Sequence, residues 1–259
     1  MKAVSLLFWT VIGVVGARSE ATLPAVRVLD SMMLTQVYLN GSGPFRMMLD
    51  TGAEASLLRP AVAARIGARA QYQVEQVTAA GSSTVAAGLV TVRVGVAEDA
   101  GVEMLYAPPV LRDADGVLGQ SWLRRHSYLL DFRKRRVILD GQPPAEGLRV
   151  PLRESDGRPC IAAQVDGEAR ELILDSGASA LVLFGGRGRF AQRARMVTNN
   201  GSIDAGVGRA VVAIGAGGFR REVTAAEIPG EAVQGLLPAS AFQWIYIAGD
   251  RRVAVLATR

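Results

Sequence analysis

An apolar run, an acidic residue, a hydroxyl residue, a glycine and an alanine occur in that order twice. Met47-Met48-Leu49 leads into Asp50-Thr51-Gly52-Ala53, and Leu172-Ile173-Leu174 leads into Asp175-Ser176-Gly177-Ala178. Apolar residues resume at Leu57-Leu58 and at Leu181-Val182-Leu183-Phe184. Each copy reads as strand, tight turn, strand, with one carboxylate at the turn. A chain built on such units needs short strands and many turns. Its 29 glycines and only 6% aromatics suit that better than long helices. With 259 residues, 49% hydrophobic and 20% charged, it has material for one or two packed cores and is not a disordered chain.

The acidic turns are part of a longer repeat. Val77-Thr78-Ala79-Ala80-Gly81-Ser82 corresponds to Val197-Thr198-Asn199-Asn200-Gly201-Ser202, after which Gly88 meets Gly208 and Gly95 meets Gly215 without a gap. Gly116-Val117-Leu118 corresponds to Gly235-Leu236-Leu237, and Ser121 to Ser240. Asn40-Gly41 and Asp166-Gly167, both suited to tight hairpin turns, precede Asp50 and Asp175. The chain therefore divides into two units, residues 22–142 and 147–259, joined near Pro143-Pro144. Within each unit the pattern predicts an opening hairpin, the acidic turn, a hairpin rich in small residues (77–94 and 197–214), an apolar strand and a closing hairpin. Short helices are expected at 60–66 and 121–125.

Residues 1–21 read as a secretory signal peptide. Lys2 is followed by an apolar stretch to Gly16, with small residues at Val15-Gly16-Ala17 and Ser19-Glu20-Ala21. The stretch falls short of the roughly 20 residues of a membrane span. An exported protein, periplasmic or extracellular, is expected, with no stable membrane insertion after cleavage; an uncleaved anchor is the alternative. Cys160 is the only cysteine, so an intrachain disulfide and a cysteine-based metal site are excluded. The net charge of +5 is carried almost wholly by arginine, densest at Arg133-Lys134-Arg135-Arg136. Without interleaved aromatics or a nucleic-acid motif, this cluster reads as a solvated hairpin tip, and no nucleic-acid partner is expected.

These residues resemble the retropepsin-like and pepsin-like aspartic proteases, and bacterial exported proteins with two tandem retropepsin-like units most of all. The resemblance rests on the two acidic turns and on the apolar-apolar-glycine strand Val117-Leu118-Gly119. It implies an all-β protein of two homologous closed barrels, a bilobal pseudo-dimer with a central cleft. It implies an aspartic endopeptidase with Asp50 and Asp175 as catalytic pair, acting on a peptide or protein without metal or other cofactor, as a monomer or homodimer. Thr51 and Ser176 would cross-link the turns through their hydroxyls, supported by Gly52, Ala53, Gly177 and Ala178. The hairpins around Gly81-Ser82-Ser83 and Gly201-Ser202-Ile203 would correspond to substrate-covering flaps. A catalytically inactive peptide-binding protein on the same fold is the alternative.

The chemistry stands apart from the resemblance. One carboxylate can take a proton from water while a second, protonated, polarises a peptide carbonyl. Close carboxyls share a proton and titrate as a pair. Ala53 and Ala178 lack the hydroxyl that could stabilise an ionised aspartate, which predicts an optimum at about pH 5–6 rather than in strong acid. Pro238 stands where the first unit has Gly119, and its missing amide calls the hydrogen bonding near Asp175 into question. His126, the only histidine, is expected near the surface, and neither a nucleophile elbow nor a zinc cluster is present in the sequence.

Overall fold

The two-residue turns predicted at Asn40-Gly41 and Asp166-Gly167 form with both residues at positive φ (47° and 76°; 51° and 86°), which matches the twist of the strands they join. They open two sheets of identical strand order. The computed structural model describes residues 20–24, 27–29, 31–78, 81–185, 188–198, 201–230 and 234–258; residues 1–19, most of the expected signal peptide, lie outside it.

The fold is all-β, in three sheets. In the first eight-stranded sheet, Met32–Leu39 pairs with Ser42–Leu49, which pairs in parallel with Gly116–Leu118, followed by Ser56–Leu58, Ala97–Tyr106, Gly81–Val94 and Tyr72–Thr78. Met32–Leu39 pairs also with Gly81–Val94, so the sheet closes into a ring. The second sheet repeats this order strand for strand, from Arg158–Val165 and Glu168–Asp175 through Gly235–Pro238 to Gly201–Ile214 and Gln192–Thr198, with the same closure. The turn residues seal both seams. The Asn40 and Asp166 side chains accept from the amides of Thr91 (2.9 Å) and Val211 (2.8 Å).

The third sheet takes three strands from each half. Tyr128–Asp131 pairs with Trp244–Ile247 at its centre, and Ala21–Pro24 and Leu148–Pro151 form its edges. One continuous core runs beneath it and into both rings, including Trp122, Tyr128, Leu174, Phe242 and Ile245. Each large apolar side chain buried there contributes about 1.5–3 kcal/mol.

The helices are short, Pro60–Arg65 and Gln120–Leu123. The second begins one residue before the expected 121–125 and ends two earlier. Both small-residue hairpins begin earlier than the expected residues 77 and 197, at Tyr72 and Gln192, because the ladder runs back to the pairs Tyr72↔Ala87 and Gln192↔Val207. Among the described residues, no helix is long and apolar enough to cross a membrane.

His126 departs from its expected surface position. It is 2% exposed, with Nε2 2.7 Å from Asp99 Oδ2 and Nδ1 2.8 Å from Asp140 Oδ2. Trp122 Nε1 donates to the same Asp99 oxygen at 3.0 Å. The carboxylates supply the polar partners that make a histidine tolerable inside, and sequence spacing gives no sign of them.

Candidate active site

Asp50 and Asp175 each end a buried strand whose neighbour runs parallel. The registers are equivalent: Leu49 lies opposite Leu118 and Leu174 opposite Leu237. The last residues before each carboxylate, Met47–Leu49 and Leu172–Leu174, are apolar in succession and buried on both faces, while the outer end of each strand is exposed. Where each strand stops, the chain turns on its own carboxylate. Asp50 Oδ1 accepts from the amides of Gly52 (3.0 Å) and Ala53 (3.1 Å). Asp175 Oδ1 accepts from Gly177 (2.7 Å), and the Ala178 amide bonds to the same side chain.

The two turns lock reciprocally. Thr51 Oγ1 donates to the Leu174 carbonyl (2.5 Å) and accepts from the Ser176 amide (2.9 Å). Ser176 Oγ donates to the Leu49 carbonyl (2.8 Å) and accepts from the Thr51 amide (3.0 Å). Both side chains are fully buried, so the hydroxyls satisfy these backbone groups away from bulk water. Across the lock the two carboxyls hydrogen-bond each other. Gly52 backs onto Asp175 and Gly177 onto Asp50. A Cβ on Gly52 would overlap Asp175 Cγ and sit 2.6 Å from its Oδ1, and one on Gly177 would sit 2.7 Å from Asp50 Oδ1.

Electrostatics follow from this geometry. Burial raises Asp50 above its ordinary value of 3.8, opposed by its bonds with Asp175, Gly52 and Ala53 and by the charge of Arg158. Burial and the negative charge of Asp50 raise Asp175 well above that value. Two carboxyls in contact cannot both ionise cheaply, so the pair holds a shared proton more tightly than an isolated carboxyl would.

The carboxyls open into a cavity of about 570 Å³. Its walls include Glu75, Gln76 and Val77 from the first small-residue hairpin, Leu105, Leu236 and Arg158. A second recess of about 430 Å³ continues from Glu54, Ala55 and Asp156 toward Gln120 and Arg124. Gly81, Ser82 and Ser83 lie at the exposed far end of the first hairpin, as Gly201 and Ser202 do in the second, and none of them lines the cavity. Ile203 is half-buried and packs against the cluster of Val182, Ala205, Ala226 and Ile228.

Pro238 does not disturb the second turn. In the first unit the Gly119 amide donates to Ser56 Oγ at 3.0 Å. Strand register places Leu181 where Ser56 stands, so the missing donor coincides with a missing acceptor. Arg158 was not singled out from the sequence. The ladder last pairs Cys160 with Ile173, and its register carried two positions further sets Arg158 opposite Asp175, on the wall of the same cavity, so counting back from the Asp166-Gly167 turn finds it. Its counterpart beside Asp50 is Met32.

Residues 35–125 match the family model of the gag-polyprotein putative aspartyl protease. The span of this retropepsin-like aspartyl protease match holds the Asp50 turn, the first small-residue hairpin and the strand Gly116–Leu118. No curated protein matches the chain. Among the described residues, no group of three or more His, Cys, Asp or Glu side chains is placed to hold a metal ion. Cys160 is buried, and burial with the nearby Glu171 pushes its thiol up to about 11, too high for a ready thiolate nucleophile.

Proposed function

We propose that the chain is an aspartic endopeptidase in which Asp50 and Asp175 jointly activate water. The observation that carries this reading is the reciprocal Thr51–Ser176 lock, which holds two mutually hydrogen-bonded carboxyls at the floor of a cavity of about 570 Å³. The aspartyl protease match over residues 35–125 supports it.

With one proton shared, the ionised member accepts a proton from a water lying between the carboxyls as the water oxygen attacks the peptide carbon. The protonated member donates to the carbonyl oxygen, giving a neutral tetrahedral diol. Proton transfer to the nitrogen and return of a hydroxyl proton to the dyad break the C–N bond, releasing amine and carboxylic acid and restoring the single shared proton. The strand Tyr72–Thr78 contributes Glu75 to Val77 as a wall against which an extended peptide can lie.

On this reading residues 22–142 and 147–259 are two lobes, each a closed barrel, forming a pseudo-dimer around the cleft. The ring-closing strand pairs and the identical strand orders support it. One chain supplies both carboxyls, so a monomer suffices. Residues 1–21 direct export, and the substrate is a peptide or unfolded protein.

The test is cleavage of an unfolded protein by the mature chain between pH 3 and pH 8, beside Asp50→Asn and Asp175→Asn. Loss of activity in both variants, with a wild-type maximum at about pH 5–6, is the expected result. Loss in Asp50→Asn alone would mean that first units pair between chains. An inactive wild type at every pH would replace the hydrolase with a peptide-binding protein on the same fold.

A further inference from the structure

A buried cation from the second half of the chain is linked through one side chain to the Asp50 turn. Arg251 sits at positive φ (59°) in the turn after Trp244–Ile247, with its side chain 10% exposed. Its Nη2 donates to Gln120 Oε1 at 2.7 Å and its Nη1 to the Tyr128 hydroxyl at 3.3 Å. Nε has no hydrogen-bond partner among the described residues, and the Glu154 carboxylate is 3.9 Å away. Burying a cation on so few partners is costly, so its placement calls for a reason.

Gln120 supplies one. It is 1% exposed, and its Nε2 donates to the Thr51 carbonyl at 2.8 Å. An amide side chain can sit either way round, but a guanidinium has only donors. Arg251 therefore forces Oε1 toward itself and Nε2 toward Thr51. The Thr51 carbonyl belongs to the same peptide plane as the Gly52 amide, which donates to Asp50 Oδ1 at 3.0 Å. That plane is held at both ends, its oxygen by Gln120 and its N–H by the Asp50 carboxylate, and each bond polarises the other. The Gln120 backbone amide also grips the turn, donating to the Ala53 carbonyl at 2.8 Å. The second unit has no such arm, because Ala239 occupies the position equivalent to Gln120.

We propose that Arg251 and Gln120 are positioning residues for the reaction: Arg251 orients the Gln120 amide, and Gln120 fixes the Thr51–Gly52 peptide that addresses Asp50. The relay makes the two carboxyls unequal and ties one of them to the closing hairpin of the other half of the chain. This inference rests on the hydrolase reading of the same site. The charged and titratable groups around it are Glu154 and Tyr128 beside Arg251, and Arg158 beside the dyad.

The test uses the full mature chain with Gln120→Leu/Arg251→Met, which removes the relay without leaving a buried charge, and Gln120→Glu, which keeps a partner for Arg251 but offers Thr51 no donor. The readouts are thermal midpoint, kcat and KM taken separately, and hydrogen exchange of the Gly52 amide by NMR. Expected in both variants are a folded protein, a Gly52 amide exchanging about tenfold faster, and kcat lowered about tenfold with KM within about twofold, the size of one lost hydrogen bond. Unchanged Gly52 protection and unchanged kcat in a folded double variant would overturn the proposal. A lower midpoint with normal kcat per folded molecule would do the same, since that is the mark of a purely structural contact. If the double variant does not fold, Gln120→Glu decides. If the wild type cleaves no peptide, the hydrolase reading fails on its own, and Gly52 exchange alone decides whether the relay acts on the turn.

Discussion

Thr51→Val removes one hydroxyl and almost nothing else, because valine matches threonine in shape. The wild-type hydroxyl satisfies two buried backbone groups at once, the Leu174 carbonyl and the Ser176 amide. Thr51 is fully buried and valine fills the same space, so neither group regains a partner from bulk water. Each orphaned group costs about 1–3 kcal/mol, and the substitution should therefore cost about 2–6 kcal/mol. Whole domains are stable by only about 5–15 kcal/mol. The assay is urea unfolding at constant pH, comparing midpoints at unchanged slope. Thr51→Ser, which keeps the hydroxyl and loses a methyl, should recover most of the loss. Thr84→Val, on the exposed part of the first small-residue hairpin, should stay within about 0.5 kcal/mol of wild type. A Thr51→Val protein as stable as the Thr84→Val control would refute the reasoning, because the lock would then be ornament and not structure.

Two further outcomes follow from the same geometry. Gly52→Ala and Gly177→Ala should each abolish cleavage by at least about a hundredfold, because a methyl at either position displaces the opposite carboxyl; full activity in either purified variant would contradict that packing. Asp175→Asn should be more stable than wild type at pH 7, with the difference shrinking toward pH 4. The folded chain holds Asp175 above its ordinary value, so the favourable contribution of the protonated carboxyl is complete below about pH 3.8 and is lost as pH rises through the raised value, whereas asparagine has no such loss. Thermal midpoints of both proteins across pH 4 to 7 give the answer, and parallel curves would count against a raised Asp175.

Much of the site was legible before any fold was known. The acidic turns, the glycines behind them and the Asn40-Gly41 and Asp166-Gly167 hairpins are local features. Their conformations follow from steric limits on φ and from a carboxylate accepting amides two and three residues on. Even Arg158 was within reach, because the Asp166-Gly167 turn sets an unbroken ladder from Val165 and Glu168 back toward Asp175. The same count fails in the first unit, where a bulge between Val37 and Leu39 shifts the register, so only the folded sheet pairs Met33 with Leu49 and brings Met32 beside Asp50.

By itself, then, the amino-acid order determined the strand-and-turn grammar, the presence of two carboxylates in equivalent turns and the chemistry such a pair can do. That Thr51 and Ser176, 125 residues apart, satisfy each other's backbones was implied by the family resemblance and not by any spacing, and the tertiary fold supplies the contact. Tertiary structure alone decided that His126 lies buried between two aspartates and that Arg251 reaches Gln120 across 131 residues. Local conformation is set by neighbours along the chain, which a sequence displays. Which distant polar groups meet is set by how two apolar sheets pack over a shared core, and that packing assigns partners no spacing rule can name.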